Sequence, residues 1–259
     1  MKINISYCGI CGSDIPKFFM KRPRPDILGH EFCGRNENTA ELVAVIPKVD
    51  DHTFIGSQLN GGFQKSIDVP ERLILPIVKL DDPKYEILGT FIEPLANCIH
   101  CLNLITEDKY SKVAIIGNGF IGNLLKTLMP YAQMIDRHSE IEDNTFDVII
   151  DCAGKPDSMN KCFKYLKPFG TLIMMGIPYS YEFNDNFNYD IAMRKELTIR
   201  NTWQSNFNSD WRMAYTILAN NPSLYLSLIS KVFPLTELTE AFNYKVRTHC
   251  AKVVVKCNG

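Results

Sequence analysis

The chain has 259 residues, 46% of them hydrophobic, with a formal charge of −1 and a pI near 6.5. That length fills one large domain or two medium ones, and the near-neutral balance excludes the basic field that a nucleic-acid or anionic-membrane partner needs. No run approaches the ~20 apolar residues of a membrane span, and MKINISYCGI has no apolar core ahead of a small-residue cleavage site. The expectation is a soluble, cytoplasmic protein. Nine cysteines, an odd number without a secretion signal, point to thiols and metal ligands rather than a disulfide framework.

In chain order, residues 2–7 (KINISY) alternate apolar and polar and predict a half-buried strand running into a loop at Cys8. The segment from Pro16 to Pro25 is basic and carries three prolines, which predicts a loop or a short irregular helix. ELVAVIPKV and FQKSIDVPERLILPIV read as short strands, with a turn signal at Asn60–Gly62. From Tyr85 the pattern changes: apolar residues take helical spacing after Pro94, and SKVAIIGNGFIGNLLKTLM opens a strand, a glycine turn and a helix. AQMIDR, FDVIIDCAG, GTLIMMGIP and LTIRNTW predict further strands with a helix near 157–166, hence a parallel sheet covered on both faces. SDWRMAYTILANN and LTELTEAFNYKV predict helices, and AKVVVKC a last strand. There is no internal repeat and no low-complexity tract.

Two stretches carry chemistry. In CGICGSDIPKFFMKRPRPDILGHEFCG, Cys11, His30 and the adjacent Glu31, with Glu93 from the apolar IEPLA segment, offer the donor types of a catalytic zinc site that keeps one position open. Cys8, Cys11, His30 and Cys33 offer a closed structural site instead. Spacing leaves both open, and Glu93 alone reads as an acid favouring a helix N-terminus before Pro94. The second stretch is Gly117, Gly119 and Gly122, a GxGxxG directly between a strand and a helix, where glycines permit a tight turn, close approach to a pyrophosphate and close helix packing. Asp136, at the end of the next strand, is placed to bond ribose hydroxyls and to repel a 2′-phosphate, which favours NAD over NADP. Arg137 beside it reads as a solvated arginine ahead of a phosphate clamp. Cys98 and Cys101, with His100 between them, fall on a helix and read as core. The basic run Lys17, Lys21, Arg22 and Arg24 reads as a solvated loop ahead of a phosphate site.

In order, CGICGSD, LGHEFCG, GGF, IEPLA and IGNGFIG resemble the zinc-dependent medium-chain dehydrogenase/reductase family, and within it the polyol dehydrogenases. The resemblance implies an α/β protein: a GroES-like β-rich catalytic domain from 1–96 and 205–259, and a reduced Rossmann domain, a doubly wound parallel sheet, from 97–204, with the active site in the cleft between them. It implies Cys11, His30, Glu31 and Glu93 as zinc ligands, Ser13 as the acceptor of the substrate hydroxyl proton, and Asp14 as the acid that orients His30. Cys8 and Cys33 become bystanders. Implied partners are a polyol or polyol phosphate and further copies of the chain, as a homo-dimer or tetramer through LTIRNTW; Trp203 reads either as a neighbour of the nicotinamide or subunit contact, or as core. Three departures stand out. No cysteine lies between Cys33 and Cys98, so one catalytic zinc and no structural zinc is expected. With the strand before CGICGSD so near residue 1, the opening hairpin of the barrel-like domain is expected to be absent, and 138–145 (HSEIEDNT) is too short for the usual helix, strand and helix, which predicts the loss of one edge strand. Pro16 stands where many alcohol dehydrogenases have a proton-passing histidine. The competing reading is an eroded, non-catalytic NAD-binding or structural-zinc protein.

Overall fold

The computed structural model describes residues 1–19, 25–106, 111–177, 189–248 and 251–258. Two compact units divide the chain: Met1–Ala96 with Asn206–Gly259, and Asn97–Ser205.

The first unit opens with β1 (Lys2–Gly9), α1 (Asp14–Phe19), β2 (Glu31–Asn36), β3 (Leu42–Val45), β4 (Ser66–Asp68) and β5 (Ile74–Pro76). A 3-10 turn over Glu86–Phe91 leads into α2 (Ile92–Leu102), within which the unit boundary falls. The second unit continues with β6 (Val113–Ile116), α3 (Phe120–Leu128), β7 (Gln133–Ile135), β8 (Phe146–Asp151), α4 (Pro156–Tyr165), β9 (Leu166–Met174), α5 (Tyr189–Arg194) and β10 (Thr198–Asn201). The chain then returns to the first unit through α6 (Arg212–Asn220), α7 (Pro222–Leu226), β11 (Ile229–Pro234), α8 (Leu238–Thr248) and β12 (Lys252–Lys256).

In the first unit β11-β12-β1-β2-β3-β5 lie side by side, and β4 also pairs with β1. Joining the C-terminal β12 to the N-terminal β1 makes the two ends of the chain one structure: Gly9 partners Val254 on one side and Glu31 on the other. The Asn60–Gly62 signal does not close a hairpin. Gly61 and Gly62 donate their N–H groups to the carbonyls of Ile27 and Gly29, so this glycine pair is spent on close packing against the segment that delivers His30. β2, β11, α5 and α7 appear where no element was predicted.

The second unit holds a five-stranded parallel sheet, ordered β10-β9-β8-β6-β7. Its central β6 is buried at all four positions, as a strand covered on both faces must be, and Phe146, Ile149, Phe163 and Leu172 fill the core around it. Between β7 and β8 there is no helix or strand, so the short β7 forms the sheet's edge. The chain steps from β6 out to β7, then back across β6 to β8. The strand order therefore reverses between β6 and β8, and ligands of such sheets bind at the carboxyl ends of the strands at that point.

Candidate metal centre and dinucleotide loop

Cys11, His30 and Glu31 come together: one donor atom from each lies within 4.8 Å of the others. The turn after β1 supplies Cys11, the residue before β2 is His30, and the first residue of β2 is Glu31. Asp14, at the start of α1, is fully buried. Its Oδ2 accepts the Cys11 N–H at 3.0 Å, which shapes the Cys11 turn, and its Oδ1 stands 3.4 Å from His30 Nδ1. Burial by itself would lower the His30 pKa. The Asp14 carboxylate and the Cys11 thiol outweigh it and hold the imidazole well above its ordinary value. Sulfur, nitrogen and carboxylate oxygen in one cluster are the donor types of a three-ligand zinc site with an open position. Asp14 Oδ1, buried without a hydrogen-bond partner, faces a ring nitrogen whose proton it can accept once the other nitrogen is committed to a metal. The residues fit the ion.

Sequence reasoning missed a fourth member of this cluster. Lys252, the first residue of β12, is completely buried and donates from Nζ to Glu31 Oε2. Its only signal was a lysine at the head of the apolar run of three valines in β12.

The other candidate donors stand apart from the three. Glu93 is half-buried in the first turn of α2 and outside the close group. Cys8 and Cys33 are buried on β1 and β2, where their thiols donate to the carbonyls of Gly9 (3.8 Å) and Glu86 (3.3 Å). Burial pushes both pKa values well up, and neither belongs to the close group. Cys98 and Cys101 are fully buried on α2, with the Cys101 pKa pushed by burial up to about 12; His100 between them is half-buried. Ser13 is half-buried just ahead of α1, and Pro16 is buried within it. Lys17 donates to Ser57 Oγ, while Lys21, Arg22 and Arg24 lie outside the described residues. Trp203 is exposed rather than part of a core.

In the second unit Gly117 follows β6 at φ +113°, a conformation that favours glycine. A Cβ there would approach the Ala153 N–H at 3.1 Å, which places the loop against the chain leaving β8, at the reversal of strand order. A side chain on Gly122 would run into the Gly117 carbonyl, so helix and turn close-pack only through glycine. Gly119, the N-cap of α3, makes no side-chain cap bond, and the space its Cβ would occupy is open for 4 Å. An open cradle at an uncapped helix N-terminus fits a pyrophosphate. Past β7, Asp136 Oδ1 accepts the His138 N–H and the Ser139 hydroxyl, both at 2.9 Å, and these bonds lower the Asp136 pKa. Arg137 is exposed, its carbonyl accepting from Lys161.

A doubly wound sheet with a glycine loop at its switch point, together with a β-rich sheet presenting a sulfur, nitrogen and oxygen donor set, defines a dinucleotide-fold protein with a candidate metal centre. The sequence profile of the zinc-binding dehydrogenases matches residues 126–220. L-idonate 5-dehydrogenase (NAD(P)(+)) of Escherichia coli (strain K12) is 26% identical over 318 aligned positions, covering 97% of this chain and 90% of the relative. Its crystal structure superposes with a TM-score of 0.82 at 24% identity, over 98% of this chain and 90% of that one. Galactitol 1-phosphate 5-dehydrogenase of the same organism is 24% identical over 273 positions, covering 82% of this chain and 77% of the relative. The chain thus matches the zinc-binding dehydrogenases over residues 126–220 and is similar to these relatives along most of its length. The first alignment is longer than the whole chain, so the match runs across gaps.

Proposed function

We propose that the protein is a zinc-dependent dehydrogenase that moves a hydride between a sugar alcohol, or its phosphate, and NAD. The observation that carries this reading is the gathering of Cys11, His30 and Glu31 within 4.8 Å, on motifs that resemble those of polyol dehydrogenases. Cys11, His30 and Glu31 would hold one catalytic zinc, with Glu93 as a further donor from the same unit, and no structural zinc is required. When bound, zinc supplies Lewis acidity toward the substrate oxygen and NAD supplies the hydride acceptor. Asp14 fixes the Cys11 turn through its N–H and orients the His30 ring. Ser13 accepts the hydroxyl proton, and with Pro16 at the next relay position water carries it outward. Gly117, Gly119 and Gly122 receive the pyrophosphate, and Asp136 the adenosine ribose, with Arg137 solvated beside it. The relatives' names support the substrate class, one a dehydrogenase of idonate and the other of galactitol 1-phosphate. Assembly as a homo-dimer or tetramer would use β10, a sheet edge.

A screen of sugar alcohols, sugar acids and their phosphates for NADH formation, with zinc present, tests the reading. Turnover of at least one is expected, and Asp136→Ala should erode the preference for NAD over NADP. Zinc binding without turnover of any of them would favour the non-catalytic reading, to which the missing elements between β7 and β8 lend weight.

A further inference from the structure

We infer that Lys252 is a positioning residue of the metal centre: it holds the Glu31 carboxylate and offsets its charge, so that a bound metal keeps its pull on a substrate oxygen. This rests on the reading of Cys11, His30 and Glu31 as metal donors.

Fold and charge argue for it together. Lys252 on β12 and Glu31 on β2 are separated by β1, and their side chains meet over Gly9. A Cβ on Gly9 would lie 2.6 Å from Glu31 Oε2, 2.7 Å from Lys252 Cε and 2.8 Å from Nζ. Glycine at this position leaves the passage open. Lysine is almost never fully buried without a partner, and a buried pair is costly to assemble unless its geometry is good. Here the chain joins its first and last strands, and both charges are buried, Lys252 at 0% and Glu31 at 2% exposure.

The charge balance shows what the pair does. With a divalent ion bound, the Cys11 thiolate, the Glu31 carboxylate and the buried Asp14 carboxylate already set three negative charges against two positive ones, before any contribution from Glu93. In a partly buried site that excess weakens the ion's attraction for a further oxygen. The Lys252 ammonium offsets one of these negative charges at Glu31 itself. It also occupies Oε2 of Glu31, which keeps that carboxylate from serving the metal as a full-strength ligand. Without Lys252, Glu31 would turn wholly to the metal, which would then be held more tightly but be less electrophilic.

The test compares Lys252→Met, Lys252→Gln and Lys252→Arg in the full chain, measuring Zn2+ affinity by chelator competition and, on a substrate from the screen, kcat separately from KM. Removing the neighbouring positive charge should let Lys252→Met bind Zn2+ about tenfold more tightly, and kcat should fall by about 10–100-fold with KM little changed, while Lys252→Arg recovers most of the loss. Lys252→Gln replaces Lys252→Met should the latter not fold, and Gly9→Ala, which keeps both charges but crowds their meeting, should move affinity in the same direction. Zn2+ affinity unchanged in Lys252→Met and Lys252→Gln would overturn the inference, as would weaker binding in all three Lys252 variants, the mark of a structural prop. A wild-type chain that binds no Zn2+, or that keeps it in Cys11→Ser, would instead overturn the metal-centre reading.

Discussion

Two CxxC pairs, Cys8 to Cys11 and Cys98 to Cys101, have the same spacing and different surroundings. The first straddles the end of a strand. Cys8 stays in the sheet with its side chain in the core, and Cys11 emerges in a turn beside His30 and Glu31, with Asp14 fixing its N–H. The second pair lies inside a helix, both thiols face the core, and the histidine between them joins no donor cluster among the described residues. Here a turn that leaves the strand brings Cys11 to its partners and a buried acid aims them, and spacing supplies neither.

The comparison can be broken at several points. Cys11→Ala should have the largest effect, weakening Zn2+ binding by well over the ~100-fold that loss of an outer partner costs; equilibrium dialysis measures it. Asp14→Asn leaves the donors in place but weakens the hold on His30, so an affinity loss of about 10–100-fold is expected. Cys98→Ala and Cys101→Ala should leave zinc content untouched and lower stability by about 1–2 kcal/mol, the cost of a small core cavity, as read in urea unfolding. The smallest effect concerns alkaline pH. Burial raises the folded-state Cys101 pKa to about 12, above the ~8.5 of an unfolded thiol. In that interval the folded chain binds more protons, so the stability Cys101 contributes is full below ~8.5 and is lost as pH rises toward 12. Cys101→Ala should therefore soften the alkaline fall in stability, and an unchanged pH profile would count against the burial of this thiol.

The sequence made some of these contrasts legible. FDVIID and KVAII read as central strands because β8 and β6 are covered on both faces, and their apolar runs say so. β2 went unread because its residues, EFCGRN, spend their side chains on a donor, a core thiol and a glycine rather than on alternation. ISKVFP, which forms β11, is an edge strand with mostly exposed positions and too weak a pattern. At the site, the donor motifs were visible as a string, but Lys252 was not, because its partner lies 221 residues away and meets it only when the two ends of the chain share a sheet. The glycines at 61 and 62 announced a turn, whereas the fold uses them for close approach to the His30 segment.

The most direct measurement is the ultraviolet thiolate-to-metal charge-transfer band of the Co2+-loaded chain, whose intensity counts the cysteines bound. The account predicts one thiolate, with the band lost in Cys11→Ser and kept in Cys8→Ser and Cys33→Ser. Three thiolates, or loss of the band with Cys8→Ser, would show a closed site and contradict the open, catalytic centre.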